Sequence, residues 1–240
     1  MNKLQAMSSS HTTGLFGIDV RVNKVESLLN MKSPDVLILG IWGMGGIGKT
    51  TIAQVVCNKV RSRFEGIFFA NFRQQSDLRR RFLKRLLGPE TLNTMDSLSF
   101  RDTFVRDRLR RKKVFIVLDD VDDSMPLEGW TDLLDGCSSF GRGSKVLITS
   151  RDKQVLKNVV DETYEVEGLN YEESLKLFSS KALKNCNLTI DHRELIEKIG
   201  SHVQGNPLAL IDLGSSLYGK SVVEWCSALN KLAQNPRIEA

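Results

Sequence analysis

Eight consecutive residues, Gly43-Met44-Gly45-Gly46-Ile47-Gly48-Lys49-Thr50, carry the pattern G-x-x-x-x-G-K-T. These residue types suit the phosphate chain of a nucleotide. The glycines let the main chain bend tightly and turn its N–H groups toward anionic oxygens. Lys49 is expected to reach the β- and γ-phosphates, and the Thr50 hydroxyl to sit on Mg²⁺. The run Val36–Trp42 ahead of the loop is apolar, and Thr50 to about Val60 has helical character. Strand, glycine loop and helix in that order give the pattern its meaning, because the helix N-terminus adds a partial positive charge where the phosphates lie. Residues Gly45, Gly46, Ile47, Gly48, Lys49, Thr50 and Thr51 are therefore the expected phosphate contacts.

A second constellation is Lys113–Asp123, KVFIVLDDVDD. An apolar strand there delivers two carboxylates to its carboxyl end. Asp119 is expected to hold Mg²⁺ through water, opposite Thr50. Asp120 is expected near the γ-phosphate, where it orients or activates a water. A third is GRGSKVLITSRD, Gly141–Asp152, a strand followed by Arg151. A guanidinium at that edge senses a γ-phosphate in bidentate fashion, whereas pairing with Asp152 would make it an ordinary surface arginine. The fourth, Gly205-Asn206-Pro207-Leu208, joins two helical patterns, and Pro207 suits a helix start because it lacks an N–H.

The elements that position these residues alternate. Apolar runs at 36–42, 67–72, 114–118, 145–149 and 163–166 are separated by helical patterns near 50–60, 76–87, 99–111, 126–135 and 152–159. Such alternation implies an α/β fold, a mostly parallel sheet with helices on both faces, of the P-loop NTPase kind. The runs at 36–42 and 114–118 suit central strands, and ligands bind at the carboxyl ends of strands in such sheets. From Gly168 onward the pattern is helical only. Leu175, Phe178 and Ala182 mark one helix. Leu195, Ile196, Ile199 and Val203 mark a second, with Asp191 as N-cap and Glu194 three residues on. Leu208, Ile211 and Leu217 mark a third, and Val223, Trp225 and Leu229 a fourth. The expected division is 1–33, an N-terminal linker and lead-in segment; 34–167, the nucleotide-binding domain; and 168–240, a small all-α bundle.

Composition bounds the remaining choices. The chain has 240 residues, 41% hydrophobic and 26% charged, as in a globular protein. No apolar run approaches membrane-spanning length, and residues 1–13 have no apolar core of a secretory signal. Cys57, Cys137, Cys186 and Cys226 are scattered, which fits a reduced, cytoplasmic protein, and Asn187-Leu188-Thr189 is then an accidental glycosylation pattern. The net charge is +5, with basic clusters at Arg79–Arg81, Lys84-Arg85 and Arg106–Lys113. Their interleaving with Phe82, Leu83, Leu86, Leu87 and Leu109 reads as the wet faces of two amphipathic helices, and nucleic acid is the less favoured reading. A nucleic-acid-dependent ATPase or a turnover ATPase remains the alternative function; the latter needs an acceptor pocket or lid, for which the sequence offers no clear candidate.

Taken in order, GMGGIGKTT, FIVLDDVDD, GSKVLITSRD, YEVEGLNYEESLKLFSSKAL and GNPLAL, preceded by GLFGIDVRVNKVESLL at 14–29, resemble the NB-ARC domain of plant disease-resistance proteins over nearly the whole chain. Asp122 after LDDV resembles the class that carries a TIR domain. The resemblance implies an ADP/ATP switch with Mg²⁺ and at most slow, STAND-type hydrolysis, cytoplasmic or nuclear, that forms a homo-oligomer when activated. It implies that Pro207, with Leu208, packs on the adenine; that Gly17, Ile18 and Val20 line the base and ribose; and that Arg151 is a sensor of the γ-phosphate. It implies partners in cis, namely TIR, winged-helix and leucine-rich repeat domains, none of which the motifs here cover, and hence weakened ADP retention. The arginine-rich stretch Arg73–Leu98 departs from the family's form and carries no inferred role.

Overall fold

The computed structural model describes residues 14–71, 78–88, 103–123, 140–183 and 189–234. The N-terminal lead-in 1–13, the helix expected at 126–135, Cys137, Cys186, most of the Asn187-Leu188-Thr189 pattern and much of Arg73–Leu98 lie outside them.

Five strands make one parallel sheet: β1 (Leu37–Trp42), β2 (Gly66–Asn71), β3 (Val114–Val121), β4 (Lys145–Ser150) and β5 (Glu162–Glu165), in the order β2-β3-β4-β1-β5. Val114 to Leu118 are all buried, as an apolar run covered on both faces should be. β4 is buried throughout, and even Lys145 loses its exposure; its ammonium donates to the carbonyl oxygens of Ser33 and Asp35 at 3.3 and 2.7 Å. Burial pushes the Lys145 pKa down, opposed by Asp35. The central position expected for 36–42 and 114–118 is observed: β1 lies between β4 and β5, and β3 between β2 and β4.

Helices α1 (Ile18–Leu28), α2 (Lys49–Val60), α3 (Leu78–Leu87), α4 (Thr103–Arg110) and the single turn α5 (Lys153–Leu156) accompany the strands. α2 buries Ile52, Ala53, Val56, Cys57 and Val60, the helical period of one apolar stripe. α3 and α4 are amphipathic as the sequence indicates. Phe82, Leu83, Leu86, Leu87, Val105 and Leu109 join the core, while Arg81, Lys84, Arg85, Arg108 and Arg110 are exposed. Phe68 and Phe82 meet edge to face at 5.0 Å within that core. The helix expected over 152–159 ends early, because Asn158 takes a left-handed φ of 66°.

The C-terminal part is helical among the described residues: α6 (Tyr171–Ala182), α7 (Ile190–His202), α8 (Pro207–Ser216) and α9 (Val222–Gln234). Its core gathers Leu175, Phe178, Ile196, Ile199, Leu210 and Trp225. The Trp225 ring meets Phe178 edge to face at 5.4 Å, and its indole N–H donates to the carbonyl oxygen of Leu217 at 3.2 Å. Two details differ from the sequence reading. Thr189, not Asp191, caps α7: its hydroxyl accepts from the His192 N–H at 3.3 Å, leaving Asp191 in the first turn where a carboxylate favours the helix dipole. Leu208 and Val223 are 52% and 78% exposed; Leu210 takes the core position in α8, while Trp225, expected in the fourth helix, is fully buried. Gly205, at φ 65°, approaches Leu169 so closely that a Cβ would strike the Leu169 carbonyl oxygen.

The chain resolves into two compact units. One comprises the described parts of Met1–Val20, Met44–Gly48 and Val166–Ala240; the other comprises Arg21–Gly43 and the described parts of Lys49–Glu165. No described helix is long and apolar enough to cross a membrane.

Candidate phosphate and cation site

Gly43, Gly46 and Gly48 have φ of 147°, 74° and 99°, conformations that a side chain disfavours. The loop they shape leaves β1 at Trp42 and ends where α2 begins at Lys49. A Cβ built at Gly48 would meet nothing within 4 Å, so the backbone there borders open space.

In the sheet-bearing unit, Lys49 is 7% exposed, and its ammonium donates to the Gly43 carbonyl oxygen at 2.6 Å. Burial, reinforced by the Arg151 charge and opposed by Asp120 and Asp119, lowers its pKa to about 8. A bound anion would favour this buried ammonium in its charged form.

Asp119, at the end of β3, is fully buried. Thr50 Oγ1 lies 2.9 and 3.1 Å from its two carboxylate oxygens. The Thr149 hydroxyl donates to Oδ1 at 2.7 Å, and Asn71 Nδ2 donates to Oδ2 at 3.1 Å. These partners come from the strands on either side, since Asn71 pairs with Asp119 in register and β4 lies along the other edge. The regular register of β3 breaks between Leu118 and Val121, and Asp120 takes a φ of 57°. Its N–H, turned out of the ladder, donates to Thr149 Oγ1 at 2.9 Å. One hydroxyl thus holds both the carboxylate of Asp119 and the bulged backbone of Asp120. The bulge also aims Asp120 at Arg151, with Oδ1 to Nε at 3.7 Å.

In the helical unit, which includes the loop segment Met44–Gly48, Asn206 Nδ2 donates to the Gly45 carbonyl oxygen at 2.8 Å. Its Oδ1 accepts from the Leu208 and Ala209 N–H groups at 3.1 and 3.3 Å, capping α8, and Pro207 takes the first helical turn. The Leu208 N–H also reaches the Gly46 carbonyl oxygen at 3.3 Å. A Cβ on Gly46 would fall 2.8 Å from Leu208 Cβ and 2.9 Å from Asn206 Oδ1, so only glycine fits.

The residues expected from sequence thus fall into groups. Lys49, Thr50, Asp119, Asp120 and Arg151 belong to one unit and are linked by contacts or charge coupling. Gly45, Gly46, Pro207 and Leu208 cluster in the other. Ile47 is buried, Thr51 is half-buried in α2, Gly17 lies in the turn before α1, Ile18 opens that helix, and Val20 is 71% exposed. The motifs did not single out Thr149, Asn71 or the contact of Asn206. Asn206 carried a signal, an N-cap residue directly before a helix-starting proline; Thr149 and Asn71 are revealed only by strand neighbours.

The donor set fits the ligands that the loop implies. In the sheet-bearing unit, the positive-φ Gly43, the Lys49 ammonium and the α2 N-terminus suit phosphate oxygens. The Thr50 hydroxyl and Asp119 carboxylate are hard oxygen donors of the kind Mg²⁺ takes, with water completing its shell.

Comparison with known proteins agrees with this arrangement. The NB-ARC domain pattern matches residues 18–187. The chain is 41% identical over 233 residues to "Disease resistance protein RPV1" of Vitis rotundifolia, covering 94% of this chain and 16% of that protein. It is 35% identical over 246 residues to "TMV resistance protein N" of Nicotiana glutinosa, covering 98% of this chain and 21% of that one. The chain therefore spans about a fifth or less of the curated relatives it matches. Among solved structures, the Signal Transduction ATPase with Numerous Domains protein from Pyrococcus horikoshii aligns with a TM-score of 0.53 at 20% identity, over 87% of this chain and 32% of that chain, a likeness of fold. The glycine loop, the ordered motifs and the extent of these matches lead to one assignment: the chain belongs to the NB-ARC domain family.

Proposed function

We propose that this chain is the nucleotide-operated switch segment of a plant immune receptor of the TIR class. It binds ADP and ATP with Mg²⁺, hydrolyses ATP slowly, and changes state when ADP is exchanged for ATP. The observation that carries this reading is the convergence of Lys49, Thr50 and Asp119 at the end of the glycine loop. In it, Lys49 holds the β- and γ-phosphates, while Thr50 and Asp119 hold the cation, which supplies neutralisation of phosphate charge. Asp120 orients the attacking water, and Arg151, now beside Asp120, turns to the γ-phosphate when one is bound. Pro207 and Leu208 contact the adenine, with Gly17, Ile18 and Val20 beside the base and ribose.

A switch of this kind works only if its two states differ in affinity for the two nucleotides. The remainder of the receptor, with TIR, winged-helix and leucine-rich repeat domains in cis, would read that difference in the cytoplasm or nucleus and permit oligomerisation. The test is mass identification of the nucleotide released on denaturing the purified protein, followed by calorimetry of ADP binding to wild type and Lys49→Ala. Release of an adenine nucleotide and loss of most ADP affinity in the variant are expected. ADP affinity unchanged by Lys49→Ala would sink the assignment.

A further inference from the structure

Asn71 ends β2 directly beside Asp119 of β3. Its amide nitrogen donates to Asp119 Oδ2 at 3.1 Å, the same oxygen that lies 3.1 Å from the Thr50 hydroxyl. The amide oxygen is buried and, among the described residues, has no hydrogen-bond partner. The orientation is fixed by chemistry: a flipped amide would set its carbonyl oxygen against a carboxylate oxygen, two acceptors in contact. The carbonyl oxygen is thus held in the interior, next to the carboxylate and hydroxyl that suit a cation, with its lone pairs unused. Buried acceptors in folded proteins are satisfied with few exceptions, and each exception calls for an unseen partner.

We propose that Asn71 is a positioning residue for the cation: its Oδ1 accepts a hydrogen bond from a water of the Mg²⁺ hydration shell, while its Nδ2 holds Asp119 in place. Magnesium keeps several of its waters when bound by one or two protein oxygens, and those waters are strong donors that need fixed acceptors. Asp119 accepts from Thr50, Thr149 and Asn71. A neighbouring neutral acceptor adds to the carboxylate without adding charge. The inference rests on the cation reading proposed above.

The test uses the full chain and the variants Asn71→Leu and Asn71→Ala, the second covering the case that leucine does not fold. ADP affinity is measured by calorimetry with and without Mg²⁺, and Mn²⁺ binding to the ADP complex by titration of its paramagnetic resonance signal. In wild type the metal should tighten ADP binding. In the variants metal-free ADP affinity should hold, while the gain from metal and the Mn²⁺ affinity both fall by about three- to tenfold, as for one lost hydrogen bond. Unchanged Mn²⁺ affinity in a folded variant would overturn the inference and leave Asn71 with a structural water only. Loss of metal-free ADP affinity to the same extent would overturn it in favour of a purely architectural role. Absence of any metal effect in wild type would remove the cation reading itself, and this inference with it.

Discussion

Asn206 Nδ2 sits 2.8 Å from the carbonyl oxygen of Gly45, joining the start of α8 to the glycine loop 161 positions earlier in the chain. The same side chain caps α8 through Oδ1. One amide therefore serves two ends: a helix N-terminus that needs an acceptor, and a loop carbonyl that needs a donor.

Those two roles separate by substitution. Asn206→Asp keeps the cap acceptor but turns a donor into an acceptor facing the Gly45 carbonyl, whereas Asn206→Ala removes both. The alanine variant should lose about 1–2 kcal/mol of stability from the cap. The aspartate variant should melt closer to wild type yet bind ADP several-fold more weakly, because the loop loses its tether. Thermal melts without nucleotide and calorimetry with ADP check the pair; equal ADP affinity in Asn206→Asp and wild type would refute the tether.

Lys49 gives a pH signature. Its pKa is lowered to about 8 against 10.5 for the unfolded chain, mainly by burial. Between those values the unfolded chain holds the proton more than the folded one, so this group's contribution makes stability rise with pH across that window. Its destabilising effect is fully present below pH 8. A bound phosphate reverses the balance by favouring the ammonium. ADP binding near pH 8.5 should take up a fraction of a proton, and affinity should decline as pH rises further. Calorimetry in buffers of different ionisation enthalpy measures the uptake, which should vanish in Lys49→Met.

Thr149 holds Asp119 and the bulged Asp120 N–H with one buried hydroxyl. Thr149→Val, close in shape, leaves that N–H and one carboxylate oxygen short of a partner. The expected cost is about 1–3 kcal/mol in denaturant unfolding. A larger loss of metal-dependent than of metal-free nucleotide affinity should accompany it. Thr149→Ser should restore both.

Trp225 is fully buried at the centre of the helical unit, against Phe178 and with its N–H on Leu217. Trp225→Ala should cost about 3–5 kcal/mol. Trp225→Phe should cost less, because the ring contact with Phe178 is kept and the Leu217 carbonyl oxygen still accepts from the Lys220 N–H at 3.1 Å. Urea unfolding followed by circular dichroism distinguishes them.

Cys57 is buried in α2 with its thiol pushed up to about 11 by desolvation, and Cys226 is exposed. At pH 8 a thiol reagent should modify Cys226 while sparing Cys57 until the protein is unfolded, as read by peptide mass mapping.

The sequence by itself determined the glycine loop, the strand and helix that flank it, the acidic end of β3 and the change to helices near Gly168. These are local signals: glycine where φ is positive, an apolar run where both faces are covered, a proline where a helix starts. It also showed that the arginines of α3 and α4 line wet faces, since Phe82, Leu83, Leu86 and Leu87 fall at helical spacing and are buried. Only the tertiary structure decided which strands are neighbours. The order β2-β3-β4-β1-β5 sets Asn71 and Thr149 on either side of Asp119, and nothing in the spacing of those three residues announces it. Strand alternation fixes which face a side chain takes but not which strand lies beside it. The left-handed turn at Asp120 and the reach of Asn206 to Gly45 were settled in the same way, by hydrogen-bond partners that are distant in the chain and adjacent only in the fold.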